Sequence, residues 1–419
     1  MSSDPRSPAW CMSRPRKRVS GLLAAAFALL LFPGYFLYHY AVASGMVAPV
    51  IGGWFGVIAL AGVVVLVPFA VHSCFRIRGQ AARLVSLFAI LVLYVGIWAG
   101  AHYLLGTGSP QDLVGLEGAG RLVAFWVALF LLGTFLDSRR MWFRHGLMLC
   151  FAAMAALTLL NIDPVRVMFH VRQPQVTEHL ANYQGFARSV VVTAILLLAV
   201  NRRLAPQIGV VAVGAIVLFF VGARSEFYGF LLVGGAWAGL TFLQRSLSKK
   251  IIILLAVLLL ASTGLLTVGL RGSRQLEVFD LASASSWQAR QQLLEEGVAA
   301  IAASPLIGQF GGQIATDRFG TYIHNGLSAW RQFGLVGFLL YGGIVISSVM
   351  LAMKAVFLRR RRDPKWIAAL YMNLMCVALI VVAKSVFWEL PAFAWGLTAG
   401  ALLQDRWETL HRTDHCVVR

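Results

Sequence analysis

The longest polar connection in this chain runs from Arg271 to Asn325, between apolar runs at 251–270 and 326–353, and it ends in Tyr322, Ile323, His324 and Asn325. A histidine at the mouth of an apolar run is suited to moving a proton near neutral pH. A helix opening at Gly326 would aim its partial positive charge at the ring and disfavour the imidazolium form. The neutral ring could take a proton from a hydroxyl, with Tyr322 and Asn325 as supporting groups; it could equally do no more than anchor a helix end. Arginines stand around the same connections, among them Arg188, Arg224, Arg271, Arg274 and Arg290. Guanidinium forks bind phosphate oxygens in pairs and stay charged beside lipid, which suits a diphosphate better than a free sugar. Each alone also reads as a lipid-headgroup contact. Arg188 and Arg224 stand out because each borders an apolar run, where a cation needs an anionic partner. For Arg224 that partner could be Glu226 across a tight turn.

The elements that must position these groups are membrane spans. The 419 residues are 59% hydrophobic and 13% charged, with mean hydropathy +0.76. That composition excludes a soluble protein of this size. A span needs about 20 mostly apolar residues. About twelve such runs are expected, near 19–38, 45–71, 84–104, 122–137, 146–161, 188–200, 208–223, 226–243, 251–269, 326–353, 366–384 and 390–404. Lipid leaves an open backbone without partners, so all are expected to be helical and the fold class is an all-α polytopic membrane protein.

The net charge of +19 does not point to nucleic acid, because the basic residues lie in short breaks between the runs rather than on one soluble face. Arg14 to Arg18, Arg76 and Arg78, Arg139 and Arg140, Arg202 and Arg203, Lys249 and Lys250, and Arg359 to Arg362 occupy alternate connections. The positive-inside rule then places both termini in the cytoplasm. Residues 1–18 form a basic N-terminus, 19–404 the membrane domain and 405–419 a cytoplasmic tail. Ala41 to Ala43 has a cleavage-like shape, but the long, aromatic-rich run before it reads as an uncleaved anchor. Cys11, Cys74, Cys150, Cys376 and Cys416 all fall in the cytoplasm or in spans, so no disulfide is expected. Cysteines and histidines show no metal-ligand spacing.

On the opposite side, three connections have enough polar residues for a site: Gly106 to Gly120, Asn161 to Arg188, and Arg271 to Asn325. Within the last, Ser285 and Gln288 form a capping pattern, followed by Trp287, Leu294, Val298 and Ile301 at helical spacing, and Ser304-Pro305 closes the helix. Arg290 projects from that apolar stripe, where it either snorkels to lipid or reaches an anionic ligand. Glu295 and Glu296 are adjacent and point apart, so they do not form a hydrolytic carboxylate pair. Glu226, Lys384, Glu389 and Asp405 lie at the ends of runs, and the scarcity of charge at span centres argues against an ion-coupled transporter.

Arg290, Ile301, Ser304-Pro305, Gly308, Phe319, His324-Asn325 and the Gly334 to Gly337 pair together resemble the signature segment of the O-antigen ligase and O-antigen polymerase superfamily. Ala223 to Glu226 looks like that family's serine-arginine turn, with Ala223 in place of serine and an atypical Glu226, and Asn182 to Arg188 is similar to an asparagine-containing approach to an earlier span. The likeness covers about 182–353 and includes a large periplasmic loop, 271–325, before the third-last span. It implies transfer of a glycan from undecaprenyl diphosphate to an acceptor hydroxyl at the periplasmic face, without cofactor or metal. In that scheme His324 is the base and Arg188, Arg224, Arg271, Arg274 and Arg290 hold the donor diphosphate. The acceptor is another lipid-linked repeat unit for a polymerase or lipid A core for a ligase; the modestly charged loop leans toward polymerase. Membrane lipids and other polysaccharide-assembly proteins are the remaining expected partners. A lipid-linked sugar flippase or a structural membrane subunit stands as the alternative from another class.

Overall fold

The computed structural model describes residues 14–49, 53–74, 78–106, 110–164, 167–171, 183–243, 285–311 and 323–417. The helices are α1 (Arg14–Leu31), α2 (Pro33–Ala43), α3 (Trp54–Cys74), α4 (Gln80–Leu105), α5 (Pro110–Phe135), α6 (Met141–Leu160), α7 (Tyr183–Val200), α8 (Leu204–Val221), α9 (Arg224–Phe242), α10 (Ser285–Ala303), α11 (Leu327–Met353), α12 (Pro364–Val382) and α13 (Leu390–Val417). A two-residue antiparallel pair, β1 (Ile162–Asp163) and β2 (Met168–Phe169), follows α6. Among the described residues nine helices are long and apolar enough to cross a membrane. The protein is a multi-pass α-helical membrane protein.

The expected runs at 226–243 and 390–404 fall outside those nine but form α9 and α13, and the run at 251–269 lies outside the described residues. Three boundaries moved. The first traverse is longer than 19–38, because hydrogen bonds from Phe32 N to Ala28 O and from Phe36 N to Phe32 O carry the ladder past Pro33. The second starts at Trp54 rather than 45, after the chain has left the helix at Gly45 with φ +74°. The stretch from Gly106 to Gly120 was expected to be a polar loop, yet from Pro110 onward it is the opening of α5. Its Pro and Asp112 suit a first helical turn.

α7 is the buried axis, with every residue from Ser189 to Val200 buried, as a helix apolar on all sides requires. α13 is buried from Leu390 to Leu402 and crosses α5 at close range. A methyl group on Gly133, Gly396 or Gly400 would run into the backbone of the facing helix, the spacing by which small residues let membrane helices touch. Ser348 of α11 and Asn373 of α12 both donate to Thr398 Oγ1 of α13, at 2.9 and 3.0 Å. With no water to compete, these buried bonds fix three helices in register.

α11 was expected as one continuous span but is broken at Gly334, where φ is +66° and ψ −173°. Left-handed backbone of this kind favours glycine. The groups freed by the break find partners: Gln309 N donates to Arg331 O at 2.5 Å and Leu335 N to Leu306 O at 3.2 Å. Tyr94 Oη donates to Phe333 O at 2.7 Å and Trp98 Nε1 to Gln332 O at 3.3 Å. Gln332, fully buried, accepts from Gly311 N at 3.0 Å. The turn Ser304–Gly311 therefore lies across the gap and ties α10 to the start of α11.

Three of the basic connections meet at one end of the bundle. Arg139 reaches Asp363 and Glu408, Arg140 reaches Asp137 and Arg18 O, and Arg361 reaches Asp405. The connection carrying His324 and the starts of α7 and α9 lie at the other end.

Candidate functional site

The His324 segment is held from three directions. Beneath it, Ile323 is buried against α10 so closely that a methyl group on Gly297 would overlap its side chain. Ahead of it, Asn325 Oδ1 accepts from Leu327 N at 2.9 Å, satisfying an orphan donor of the first helical turn. Beside it, the last turn of α12 and the turn that follows it are each bonded once: Gly326 N donates to Ile380 O at 2.7 Å, and Val386 N to Ser328 Oγ at 2.7 Å. Ser328 Oγ in turn donates to Asn325 O at 2.7 Å. Asn325 thus acts on the backbone that carries His324.

That turn brings charges that the motif reading did not use. Lys384 Nζ lies 2.6 Å from Glu226 Oε1 in the first turn of α9, with side chains 10% and 2% exposed. Ser225 Oγ donates to the other carboxylate oxygen at 2.7 Å. The ammonium also stands 5.6 Å from the centre of the Trp388 ring, a cation–π distance. At the far end of the turn, Glu389 forms an ion pair with Arg188 of α7. The Arg188 guanidinium lies 5.5 Å from the Phe55 ring centre, and its Nε is buried without a protein partner. Tyr35 of α2 lies within electrostatic reach of both Arg188 and Glu389.

His324 is half-buried, and its pKa is pushed down to about 4 by that burial, then by Arg290 and by Lys384. Both effects disfavour the charged form, so the ring is neutral at physiological pH, as the position at the start of α11 also favours. Arg290 is exposed on α10, two turns before Gly297 and so on the face that meets the His324 segment. The capping pattern and Ser304-Pro305 did mark the limits of this helix, which runs from Ser285 to Ala303.

The structure therefore brings His324, Asn325 and Arg290 together, and places Arg188 and Arg224 at the starts of α7 and α9 on the same end of the bundle. Glu226, offered as a partner for Arg224, is bonded to Lys384 and Ser225. Arg271, Arg274 and Tyr322 lie outside the described residues. Lys384, Glu226 and Glu389 were visible in the sequence as charges at the ends of apolar runs, but their mutual pairing depends on contacts between distant helices. No protein-family model matches the chain, and no curated protein matches it. The resemblance to O-antigen ligases and polymerases rests on the residues quoted for it.

Chemically the cluster offers one neutral base flanked by cations. Such a base can take the proton of an incoming hydroxyl. Cations at the same mouth can hold an anionic leaving group where its charge develops.

Proposed function

We propose that the protein is a metal-independent membrane glycan transferase of the O-antigen ligase and polymerase type. It would move a glycan from undecaprenyl diphosphate to an acceptor sugar hydroxyl at the periplasmic face, with both termini in the cytoplasm, in surface polysaccharide or O-antigen synthesis. The observation that carries this reading is His324: a neutral imidazole at one end of the helix bundle, within electrostatic reach of Arg290 and Lys384, in the motif context quoted above. In the reaction, the acceptor oxygen bonds to the anomeric carbon as His324 takes the hydroxyl proton. The bond from that carbon to the phosphate oxygen breaks, and undecaprenyl diphosphate leaves with the electron pair. Arg188, Arg224, Arg290, Arg271 and Arg274 are the cations assigned to the diphosphate. The lean is toward a polymerase, with a ligase acting on lipid A core as the other form of the same chemistry.

The break in α11 is a feature shared with transporters, but the carbonyls of Arg331, Gln332 and Phe333 are already taken by protein donors. That is not the arrangement of an ion site, and it gives the flippase reading no support.

The test is deletion of the gene followed by electrophoresis of lipopolysaccharide, exopolysaccharide and carrier-linked glycans, with complementation by wild type and by His324→Ala. Single repeat units left on the carrier indicate a polymerase; long carrier-linked chains with bare lipid A core indicate a ligase. Full complementation by His324→Ala at wild-type protein level would falsify the assignment.

A further inference from the structure

Lys384 is absent from the set of residues that the motif resemblance supplies, yet it is placed as carefully as any of them. An ammonium this deeply buried persists only against a carboxylate with good geometry, and Glu226, itself fixed by Ser225, provides one at 2.6 Å. The pair could serve the fold alone. Its location says more: the chain is bonded to the start of the helix that follows His324 just before and just after Lys384, through Gly326 N to Ile380 O at the end of α12 and Val386 N to Ser328 Oγ. Trp388 lies against the ammonium from within the same turn. Glu226 therefore holds the cation from α9 while the turn holds it beside the imidazole.

Resting on the transfer reading above, we infer that Lys384 is a positioning residue of the His324 centre: clamped by Glu226, its ammonium keeps the imidazole free to accept the acceptor's proton. The carboxylates on the neighbouring elements are committed elsewhere. Glu226 is bonded to Lys384 and Ser225, Glu389 to Arg188, and Glu296 of α10 accepts from Gln292 with Arg331 of α11 nearby. Glu295 is exposed on α10. Among the described residues, the charges that lower the pKa of the ring are Arg290 and Lys384, both positive.

Diethyl pyrocarbonate acylates only the neutral imidazole, so it reads this coupling on the purified full-length protein without any glycan substrate. An ordinary imidazole, with a pKa of about 6.5, loses roughly tenfold in reactivity between about pH 7.5 and about pH 5.5. Wild-type His324, followed by peptide mass spectrometry, is expected to lose less than about twofold over that range. In the neutral pair Lys384→Met with Glu226→Gln, which leaves no buried orphan charge, the fall-off moves to higher pH by a fraction of a unit, read by extending the series down to about pH 4, because burial and Arg290 act on the ring ahead of Lys384. Lys384→Arg restores the wild-type profile. The acid limb of glycan transfer, assayed in membranes, shifts in the same direction. If the neutral pair does not accumulate, the swapped pair Lys384→Glu with Glu226→Lys provides the test, and its fall-off moves further still. An unchanged modification profile in whichever pair accumulates overturns the inference. A shifted modification profile in a protein that transfers no glycan sinks the transfer reading and leaves the Lys384 to His324 coupling in place.

Discussion

At the basic end of the bundle, Arg139 reaches Asp363 and Glu408 with its side chain 48% exposed. At the opposite end, Lys384 reaches Glu226 with side chains 10% and 2% exposed. The bond chemistry is the same, but the solvent is not. Exposed pairs gain little over hydrated ions and are screened by salt. Buried pairs have lost their water, and removing one partner leaves a charge with nothing to stabilise it. Charges at the basic end thus need no fixed geometry. Those at the other end are held in place, which a site that acts on ions or protons needs.

Glu226→Ala is the strongest way to break that comparison. It strands the Lys384 ammonium among buried groups, and a loss of about 3–5 kcal/mol is expected, read as a lowered melting temperature in detergent or as loss of protein from the membrane. Adding Lys384→Met to the same chain removes the stranded charge and should recover most of the loss. A single variant that melts with the wild type would mean that the buried pair is no more consequential than Arg139 with Asp363.

How far this was legible in the sequence follows from the same contrast. Helices announced themselves by apolar length, and basic residues in alternate breaks announced the two ends, because both signals are local. The limits of α10 were also readable, since a capping pattern and a Ser-Pro stop act within a few residues, and His324 and Asn325 could be picked out by their place beside an apolar run. The break at Gly334 was not, because the glycine alone does not say that Gln309, Tyr94 and Trp98 supply donors for the opened carbonyls. Nor was the pairing of Lys384 with Glu226 or of Arg188 with Glu389, in which a residue of the α12–α13 turn meets one on a helix far away in sequence. The opening of α5 at Pro110 was missed because its polar first turns read as loop until the helix is seen.

A smaller effect sharpens the comparison at two helix starts. Asn325 and Asp363 both precede a helix, α11 and α12. Asn325 caps the Leu327 amide at 2.9 Å, whereas Asp363 makes no side-chain capping bond. Asn325→Ala should therefore cost about 1 kcal/mol in melting experiments. Because the change also loosens the segment that carries His324, transfer should fall by more than protein level. Equal losses of both would show that Asn325 serves only the fold.

Arg139→Gln should have the least effect. It removes two ion pairs at once, yet the guanidinium is half exposed and a salt-screened surface pair contributes less than about 1 kcal/mol. Raising ionic strength toward about 1 M, where the screening length falls to about 3 Å, should bring the variant and the wild type together. The Lys384 and Glu226 pair should keep its contribution under the same conditions, because salt does not enter a site that excludes water. Melting curves for both variants at low and high salt make the comparison directly. If Arg139→Gln proved as damaging as Glu226→Ala, and as insensitive to salt, burial would not be what separates the two ends, and the argument that singles out the His324 end for chemistry would lose its physical basis.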